Sequence, residues 1–470
     1  MQMRRALLGL LLFCAFVHGA VANESSTDDV SYWNDVRPIF QAKCLGCHQP
    51  AKASGEYIMT EFSALLSGGE SGETAVIPED PDGSYLVSQI TSIDGQAAMP
   101  QDLPPLTDAE VNLVRKWIQQ GAQDDTPASA KQRYDAEHPP EYAAAPVVTS
   151  VQFSKDGTRL AVSGYHEVLL HDVGKLLAGE PSLVGRLIGM SERIESVSFS
   201  PDGQQLAVAG GSPGRLGELQ VWNVDSGELE FSVPVSYDTC YGVSWSHDGH
   251  LIAIGCPDNT VRAFKSDTGE QVLFNGAHND WVLDTVFSAD SNHLVTVSRD
   301  RSMKLIEVAT ERFIDNITSI TPGALKGGLH AVDRHPTKNE LLIGGSDGIP
   351  KTYRMFREKA RRIGDDFNLI KKYPEMRGRI FDVAFRQDGS QIVAGSSYNG
   401  QGHVHLFDTE SGERIQEMSD IGSAVYCVAI SPDGKWVASG GFDGQLMVHE
   451  AANGKQVTAV VPVPIEDESH

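Results

Sequence analysis

The sequence predicts a multidomain chain, in which a small all-α domain is followed by an all-β ring of seven repeated units. Apolar residues recur at helical spacing between positions 29 and 43 and again between 107 and 121. From about residue 146 onward, short strand-like segments alternate with turn residues at intervals of 42 to 50 positions. Between the two regions, residues 124–145 are rich in Ala, Pro and charge, which indicates a linker.

The composition limits the classes of partner. The chain has 470 residues and a formal net charge of −25. Such a surface repels phosphate backbones and anionic lipids, so we expect neither nucleic acid nor a membrane surface as a partner. Residues 23–126 hold 17 Asp and Glu against 5 Lys and Arg. The docking face of a partner for this region is therefore expected to be basic or neutral.

The first residues have the pattern of a secretory signal. Arg4 and Arg5 precede an apolar run over 6–17, and Ala20-Val21-Ala22 resembles a cleavage site. We expect residues 1–22 to be removed, with an uncleaved membrane anchor as the alternative. After cleavage no membrane span is expected. The expected location is the bacterial periplasm.

Two helices are predicted to bracket the first domain, residues 23–123. The first carries an apolar face formed by Trp33, Val36, Ile39 and Phe40. The second begins at the capping box Thr107–Glu110 and ends at Gly121. Its apolar positions are Val111, Val114, Trp117 and Ile118. The stretch between the helices shows little periodicity.

The pentapeptide Cys44-Leu45-Gly46-Cys47-His48 indicates covalent attachment of one haem c. The two thiols add across the vinyl groups of haem, and His48 is then the proximal iron ligand. Zinc is the alternative, but it needs four ligands, and residues 23–137 contain no other Cys or His. A thioredoxin-like redox pair would not require the following His.

The distal iron ligand is inferred by elimination. No other His precedes His138, which leaves Met59 and Met99 in this domain. Met99-Pro100 lies in a loop before the second helix, where the chain can fold back over the haem. Met59 lies in an apolar stretch that is expected to pack beside it. We therefore favour Met99, with Met59 or an open or foreign ligand as alternatives.

Several segments of this region together resemble the planctomycete-type cytochrome c domain. They are Asp35–Ile39, Cys44–His48, Gly68–Gly72, Ile77-Pro78 with Asp80-Pro81, Met99-Pro100, and Leu106-Thr107 through Trp117-Ile118 to Gly121-Ala122. The resemblance covers residues 30–122 and implies a class I-like cytochrome c domain with His48 and Met99 as axial ligands. Ala98 and Gln101 stand where the family usually has a basic residue and a second Pro.

The repeats are marked by an apolar residue followed three positions later by a turn residue. The pairs are Phe153/Asp156, Phe199/Asp202, Trp245/Asp248, Phe287/Asp290, His335/Lys338, Phe385/Asp388 and Ile430/Asp433. With Ala277–Val282, Ser298–Asp300 and Val221–Asn223, they resemble the WD-repeat family. The resemblance implies a seven-bladed β-propeller over residues 146–464, in which residues 456–463 form the last strand. Residues 465–470 are an acidic tail.

Other motifs in the ring are interpreted as structural. Ser298, His278 and Asp300 could be mistaken for a hydrolase triad, but the WD-repeat resemblance implies a hydrogen-bond network within one blade. The basic segment Arg357–Arg362 is expected to be a solvated loop, with a docking role as the alternative. Cys240 and Cys256 flank one hairpin and are expected to be buried free thiols, with a disulfide as the alternative.

Three functions compete at this point. The leading hypothesis is one-electron transfer by a periplasmic cytochrome, with a redox partner protein at the haem domain and a second protein docked on the propeller. The second is an oxidoreductase whose propeller binds a substrate or second cofactor. The third is a haem redox sensor or scaffold. No catalytic residue is predicted, and an electron carrier is favoured over an enzyme.

Overall fold

The computed structural model describes residues 29–49, 52–101, 103–127, 134–319, 326–362, 364 and 366–465. The predicted signal peptide and nearly all of the acidic tail lie outside these residues. None of the described helices combines the length and the apolar character needed to cross a membrane.

The first region is helical with one small hairpin. A π-helical turn, Tyr32–Val36, leads into the first of four α-helices, and the turn Ser54–Glu56 is 3₁₀-helical. The α-helices are α1 (Arg37–Lys43), α2 (Phe62–Ser67), α3 (Tyr85–Ile90) and α4 (Asp108–Gln119). Strands β1 (His48–Gln49) and β2 (Lys52–Ala53) pair antiparallel. The prediction of an all-α domain is therefore met only in part, and the sequence pattern missed α2 and α3.

Helix α4 begins as its capping box predicts. The Thr107 side chain accepts a hydrogen bond from the Glu110 amide, and the Glu110 carboxylate accepts one from the Thr107 amide at 2.7 Å. The two bonds satisfy amides that have no partner within the helix. Beyond them, the apolar face of α4 packs into one core with the first helical segment. Its largest fully buried side chains are Trp117, Phe40, Leu65, Ile90 and Ile118.

The second region is mostly β, as the repeats predict, and is consistent with a WD propeller. Its first two units share one seven-stranded sheet in the order β3 to β9. These strands are β3 (Val151–Phe153), β4 (Arg159–Ser163), β5 (Tyr165–Asp172), β6 (Leu183–Phe199), β7 (Gln205–Ser212), β8 (Leu216–Asn223) and β9 (Leu229–Ser236). Helix α5 (Val173–Ala178) joins β5 to β6. The long β6 is both the outer strand of the first unit and the inner strand of the second.

Five four-stranded antiparallel sheets follow. The third unit contains β10 (Tyr241–Trp245), β11 (Leu251–Gly255), β12 (Val261–Lys265) and β13 (Gln271–Asn275), and the fourth contains β14 (Val282–Phe287), β15 (His293–Ser298), β16 (Met303–Glu307) and β17 (Arg312–Asn316). The fifth contains β18 (Leu329–Arg334), β19 (Glu340–Gly345), β20 (Lys351–Arg354) and β21 (Leu369–Lys372). The sixth contains β22 (Arg379–Phe385), β23 (Gln391–Tyr398), β24 (Gln401–Asp408) and β25 (Arg414–Glu417), and the seventh β26 (Val425–Ile430), β27 (Trp436–Gly441), β28 (Leu446–Glu450) and β29 (Gln456–Val460).

The innermost strands close a ring. Consecutive contacts run from β3 through β6, β10, β14, β18, β22 and β26 back to β3. At the closure, the Val148 amide donates a 2.9 Å hydrogen bond to the carbonyl of Gly441. All four strands of the last sheet come from one stretch of chain, and beyond them Ile465 forms a parallel bridge with Tyr142, so the segment after β29 also reaches the segment ahead of β3.

Aspartates of three inner strands link neighbouring blades, with Asp284 and Asp382 at equivalent positions and Asp333 two residues further along its strand. Each carboxylate accepts a hydrogen bond from a backbone amide of the next inner strand. The pairs are Asp284 with Val332 (2.8 Å), Asp333 with Phe385 (2.7 Å) and Asp382 with Val428 (2.8 Å). These bonds tie three pairs of successive blades together.

The helical region packs directly on the second blade. Helix α1 and strand β2 both contact β9. A Cβ atom at Gly46 would lie 2.4 Å from the carbonyl oxygen of Ser232 in β9. Met190 of β6 also packs against the helical core. The two regions therefore share an interface that includes the loop between Cys44 and Cys47.

Candidate functional site

The predicted haem-attachment loop continues directly from helix α1. The Cys44 amide donates to the Phe40 carbonyl at 2.8 Å, and the His48 amide donates to the Cys44 carbonyl at 3.1 Å. The pentapeptide thus continues the helix as helix-like turns, and both cysteines lie on these turns. Cys44 is buried and Cys47 is exposed.

His48 is oriented through one of its two ring nitrogens. Its Nδ1 lies 3.2 Å from the carbonyl oxygen of Tyr57, to which Nδ1–H donates. Tyr57 is fixed in turn by a 2.7 Å hydrogen bond from its hydroxyl to the Leu65 carbonyl. Nε2 is then the unprotonated nitrogen, which is the form that a metal ligand requires. Burial lowers the pKa of His48, which also favours the neutral ring.

The donor set fits a haem bound through two thioethers. Burial, together with the neighbouring Cys47, raises the pKa of Cys44 to about 12. Cys44 therefore stays a thiol at neutral pH, whereas redox-active cysteines have a lowered pKa. A zinc site would bring the ligand atoms of Cys44, Cys47 and His48 within 4.8 Å of one another. Among the described residues, these three atoms do not meet that condition. The protonated Cys44 thiol and the spread of the ligand atoms are thus compatible with haem attachment.

Three methionines pack against the core that contains Cys44. Met59 is only 2% exposed, and its amide donates to the His48 carbonyl at 3.0 Å. Met99 is half-buried at the edge of the same core, with its amide donating to Gln89 at 2.9 Å. The sequence reasoning missed Met190, because it belongs to the propeller and no local motif indicates that it reaches the helical domain.

The rejected triad is a hydrogen-bond network in the fourth blade. His278 lies 2.9 Å from the Asp300 carboxylate through Nδ1 and 2.7 Å from the Thr296 hydroxyl through Nε2. The Ser298 hydroxyl instead donates to the Asp280 carbonyl at 3.0 Å. Ser298 therefore does not pair with His278; the serine that lies near His278 is Ser302, whose hydroxyl donates to the Asp300 carboxylate at 2.6 Å.

The structure also describes the surroundings of the basic segment Arg357–Arg362 and of the pair Cys240 and Cys256. Arg361 bonds the Asp315 carboxylate at 2.8 Å, and Arg357 lies 3.5 Å from the same carboxylate. Asp315 therefore partly neutralises the basic segment. Cys240 and Cys256 are buried and carry free thiols.

A groove opens on one face of the ring, where the inner strands begin and the second and third strands are connected. Its cavity of about 720 Å³ spans the fifth, sixth and seventh blades. The aromatic lining consists of Phe381, Tyr398, Tyr426 and Phe442. Tyr398 and Phe442 are 55% and 64% exposed, which is high for large apolar side chains. Charged lining residues include Glu375 and Arg379.

Aromatic and basic side chains continue along the same face in other blades. Tyr241 and Trp281 stack with ring centroids 5.7 Å apart, and the Arg299 guanidinium lies 4.6 Å from the Trp281 ring. Within the groove itself, Phe381 meets Tyr426 edge-on at 5.1 Å. Aromatic residues and Arg are enriched where proteins bind one another. This face therefore has the composition of a protein-binding surface.

Two family models match parts of the chain. Residues 44–102 match Planctomycete cytochrome C. Residues 230–265, 269–307 and 412–450 match the WD domain, G-beta repeat. The first match contains all the predicted haem-site residues, and the other three lie in the propeller.

The curated relatives are eukaryotic proteins, and a WD repeat-containing protein is among them. Eukaryotic translation initiation factor 3 subunit I of Kluyveromyces lactis is 23% identical over 44% of this chain and 46% of its own length. Periodic tryptophan protein 2 homolog of Neurospora crassa is 25% identical over 48% of this chain and 27% of its own length. WD repeat-containing protein 26 homolog of Arabidopsis thaliana is 23% identical over 49% of this chain and 37% of its own length. The chain therefore spans about a quarter to a half of these relatives.

These relatives correct two predictions. The predicted function of one-electron transfer by a periplasmic cytochrome is wrong, because the relatives indicate a WD-repeat scaffold. The predicted bacterial periplasmic location is wrong for the same reason, since the relatives come from eukaryotes. The prediction of the location was based on residues 1–22, which lie outside the described residues. The prediction of the function was based largely on five residues of the helical domain, Cys44–His48. The chain carries a Planctomycete cytochrome C domain and, C-terminal to it, WD repeats.

Proposed function

We propose that this chain is a protein-binding scaffold, in which the WD propeller docks a partner and the N-terminal domain holds one covalently bound haem. The observation that carries the scaffold function is the groove with exposed Tyr398 and Phe442. Large aromatic side chains left in water cost free energy, and a partner that covers them recovers it.

The rigidity of the blades supports docking. Tyr398 lies at the end of β23, beside the tight turn to β24, and Phe442 directly follows β27. Both side chains are therefore presented by hairpins whose strands belong to four-stranded sheets. Preformed binding residues lose little conformational entropy when a partner docks.

The chemistry of the groove suggests the kind of partner. Its aromatic lining suits apolar side chains, and the Glu375 carboxylate in the lining suits Lys or Arg. The net charge of −25 favours approach of a basic protein over an acidic one. We therefore propose a partner that presents an apolar segment flanked by basic residues.

A photo-crosslinking experiment tests this face of the ring. A crosslinking amino acid is placed at Tyr398 in the groove or at Gln387, which is exposed in the turn after β22 on the opposite face. A partner that docks in the groove crosslinks from position 398 and not from 387. Equal crosslinking from both positions, or crosslinking only from 387, contradicts the proposal.

The haem proposal concerns Cys44, Cys47, His48 and Met99. Each thiol S–H adds across one vinyl double bond and forms a C–S and a C–H bond, so that no oxidant or reductant is consumed. His48 Nε2 would be the proximal ligand, because Nδ1 is held by Tyr57. Met99, at the edge of the core, is proposed as the distal ligand. The bound group would supply a porphyrin iron, which His48 and Met99 would hold.

The contact with β9 positions the helical domain on the propeller. The loop between the cysteines faces the backbone of Ser232, so the attachment site lies at the border with the propeller. We propose that this contact holds the haem domain in one orientation on the ring. The groove lies on the fifth to seventh blades, so both sites are available on one chain.

A further inference from the structure

In the sixth blade, His403, His405 and Glu417 bring three metal-ligating side chains together. His403 and His405 are two residues apart on β24, so their side chains leave the same face of the strand. Glu417 on the outermost strand β25 is the direct cross-strand partner of His405. One nitrogen of each His and one carboxylate oxygen lie within 4.8 Å of one another. Elsewhere in the described ranges no other three His, Cys, Asp or Glu meet this condition.

The buried member of the group lacks a hydrogen-bond partner. His405 is 6% exposed, and its Nε2 accepts and donates no hydrogen bond. Its nearest charged atom is Glu417 Oε1 at 3.6 Å, which is too long for a hydrogen bond. A buried polar atom without a partner is costly, and a bound cation would satisfy it.

The spacing suits a small cation. A tetrahedral zinc site with ligands near 2.1 Å separates its ligand atoms by roughly 3.4 Å. The 3.6 Å between His405 Nε2 and Glu417 Oε1 is close to that value. Arg414 bonds the other carboxylate oxygen, Oε2, at 3.1 Å, and thus leaves Oε1 directed towards the histidine.

We propose that His403, His405 and Glu417 bind one divalent transition metal ion of the zinc class. Two imidazoles and one carboxylate are a donor set typical of zinc, with a fourth position left for water. His403 is half-buried and Glu417 exposed, so the ion enters from the outer rim of the blade. The ion joins the third strand to the exposed outermost strand, and it therefore stabilises the edge of the sheet.

Calorimetric titration of the full chain with zinc chloride tests the proposal. The variants are Glu417→Gln and His403→Asn, which alter side chains outside the core, and the control is Glu413→Gln on the adjoining turn. We expect the wild type and control to bind one more zinc ion than either variant. The difference between chains cancels any zinc that binds at other sites.

Thermal unfolding provides the second measurement. Zinc should raise the unfolding midpoint of the wild type and the control by several degrees, and it should not raise that of the two variants. Equal zinc stoichiometry in the wild type and Glu417→Gln would overturn the proposal. So would a zinc-dependent shift of the same size in all four chains, which would indicate adventitious binding.

Discussion

Gly46 lies so close to Ser232 that a Cβ atom at Gly46 would stand 2.4 Å from the Ser232 carbonyl oxygen. Gly46 belongs to the attachment loop, and Ser232 belongs to β9 of the second blade. The contact involves backbone on both sides, so neither partner can relieve a clash by rotating a side chain. It is therefore the point where the helical domain and the propeller most directly constrain each other.

The first prediction concerns this contact. Gly46→Ala should lower the free energy of unfolding by about 1 to 3 kcal/mol, because a methyl group does not fit beside a fixed carbonyl. Gly422→Ala is the control, since a Cβ there meets nothing within 4 Å. Thermal unfolding measures the loss, and hydrogen exchange of β9 locates it. Unchanged exchange in β9 would show that the two domains do not hold each other.

The distal ligand is tested by comparing methionines. Met99→Ala should remove the iron–sulfur charge-transfer absorption of the haem-loaded chain, because Met99 is the proposed distal ligand. Met59→Ala should keep that absorption but lower the stability by about 2 to 5 kcal/mol, because Met59 is fully buried. Visible absorption and thermal unfolding separate the two effects. Retention of the absorption in Met99→Ala would exclude Met99.

Local signals predicted much of the fold. The Thr107–Glu110 capping box and the apolar positions Val114 and Trp117 were sufficient to define α4. The turn markers located the first hairpin of most blades, because Gly at a positive φ follows Asp in these turns, as at Gly157 and Gly203. Contacts between distant segments were not predictable, since no sequence spacing relates Gly46 to Ser232 or His405 to Glu417.

The candidate site likewise contains residues that the sequence predicted and residues that it did not. Cys44, Cys47 and His48 form a contiguous motif, so a single sequence identified them. Met190 reaches the same core from a propeller strand, and the groove is built from three blades. Helices α2 and α3 were missed because each has only six residues, too few for a periodic pattern.

Stability should depend on pH through the inner-strand aspartates. Burial raises the pKa of Asp333 to about 6 and that of Asp382 to about 7. Both residues are half-buried rather than fully enclosed. An unfolded Asp ionises near pH 4, so the unfolded chain gains charge first. The free energy of unfolding should therefore fall as the pH rises from about 4 to 7, by on the order of 1 kcal/mol for each group after solvent screening.

The variant Asp382→Asn checks this interpretation. It keeps a side-chain oxygen that can accept from the Val428 amide, but it cannot ionise. Urea unfolding at a series of pH values should give a smaller decline for Asp382→Asn than for the wild type. The exposed Asp267→Asn is the control and should follow the wild type. An equal decline in all three chains would contradict the assignment.

A buried ion pair holds the start of the propeller. Arg186 binds the Glu167 carboxylate at 2.6 and 2.7 Å, and the Tyr142 hydroxyl donates to the same carboxylate at 2.6 Å. Glu167→Ala should destabilise the chain by about 3 to 5 kcal/mol, because it leaves the Arg186 cation without a carboxylate in a largely buried site, where the Pro140 carbonyl still accepts from it. Arg159→Ala, at a more exposed pair with Asp225, should cost about 1 kcal/mol or less. Similar losses from chemical unfolding would contradict this ranking.

The most direct test is the mass of the intact chain after expression in a host that attaches haem c. We expect a mass increase of one haem that survives denaturation. Cys44→Ser should leave at most one thioether, and the double variant Cys44→Ser/Cys47→Ser should show no covalent haem while its propeller remains folded by circular dichroism. A wild-type chain of unmodified mass, or haem retained covalently by the double variant, would contradict haem attachment at Cys44 and Cys47.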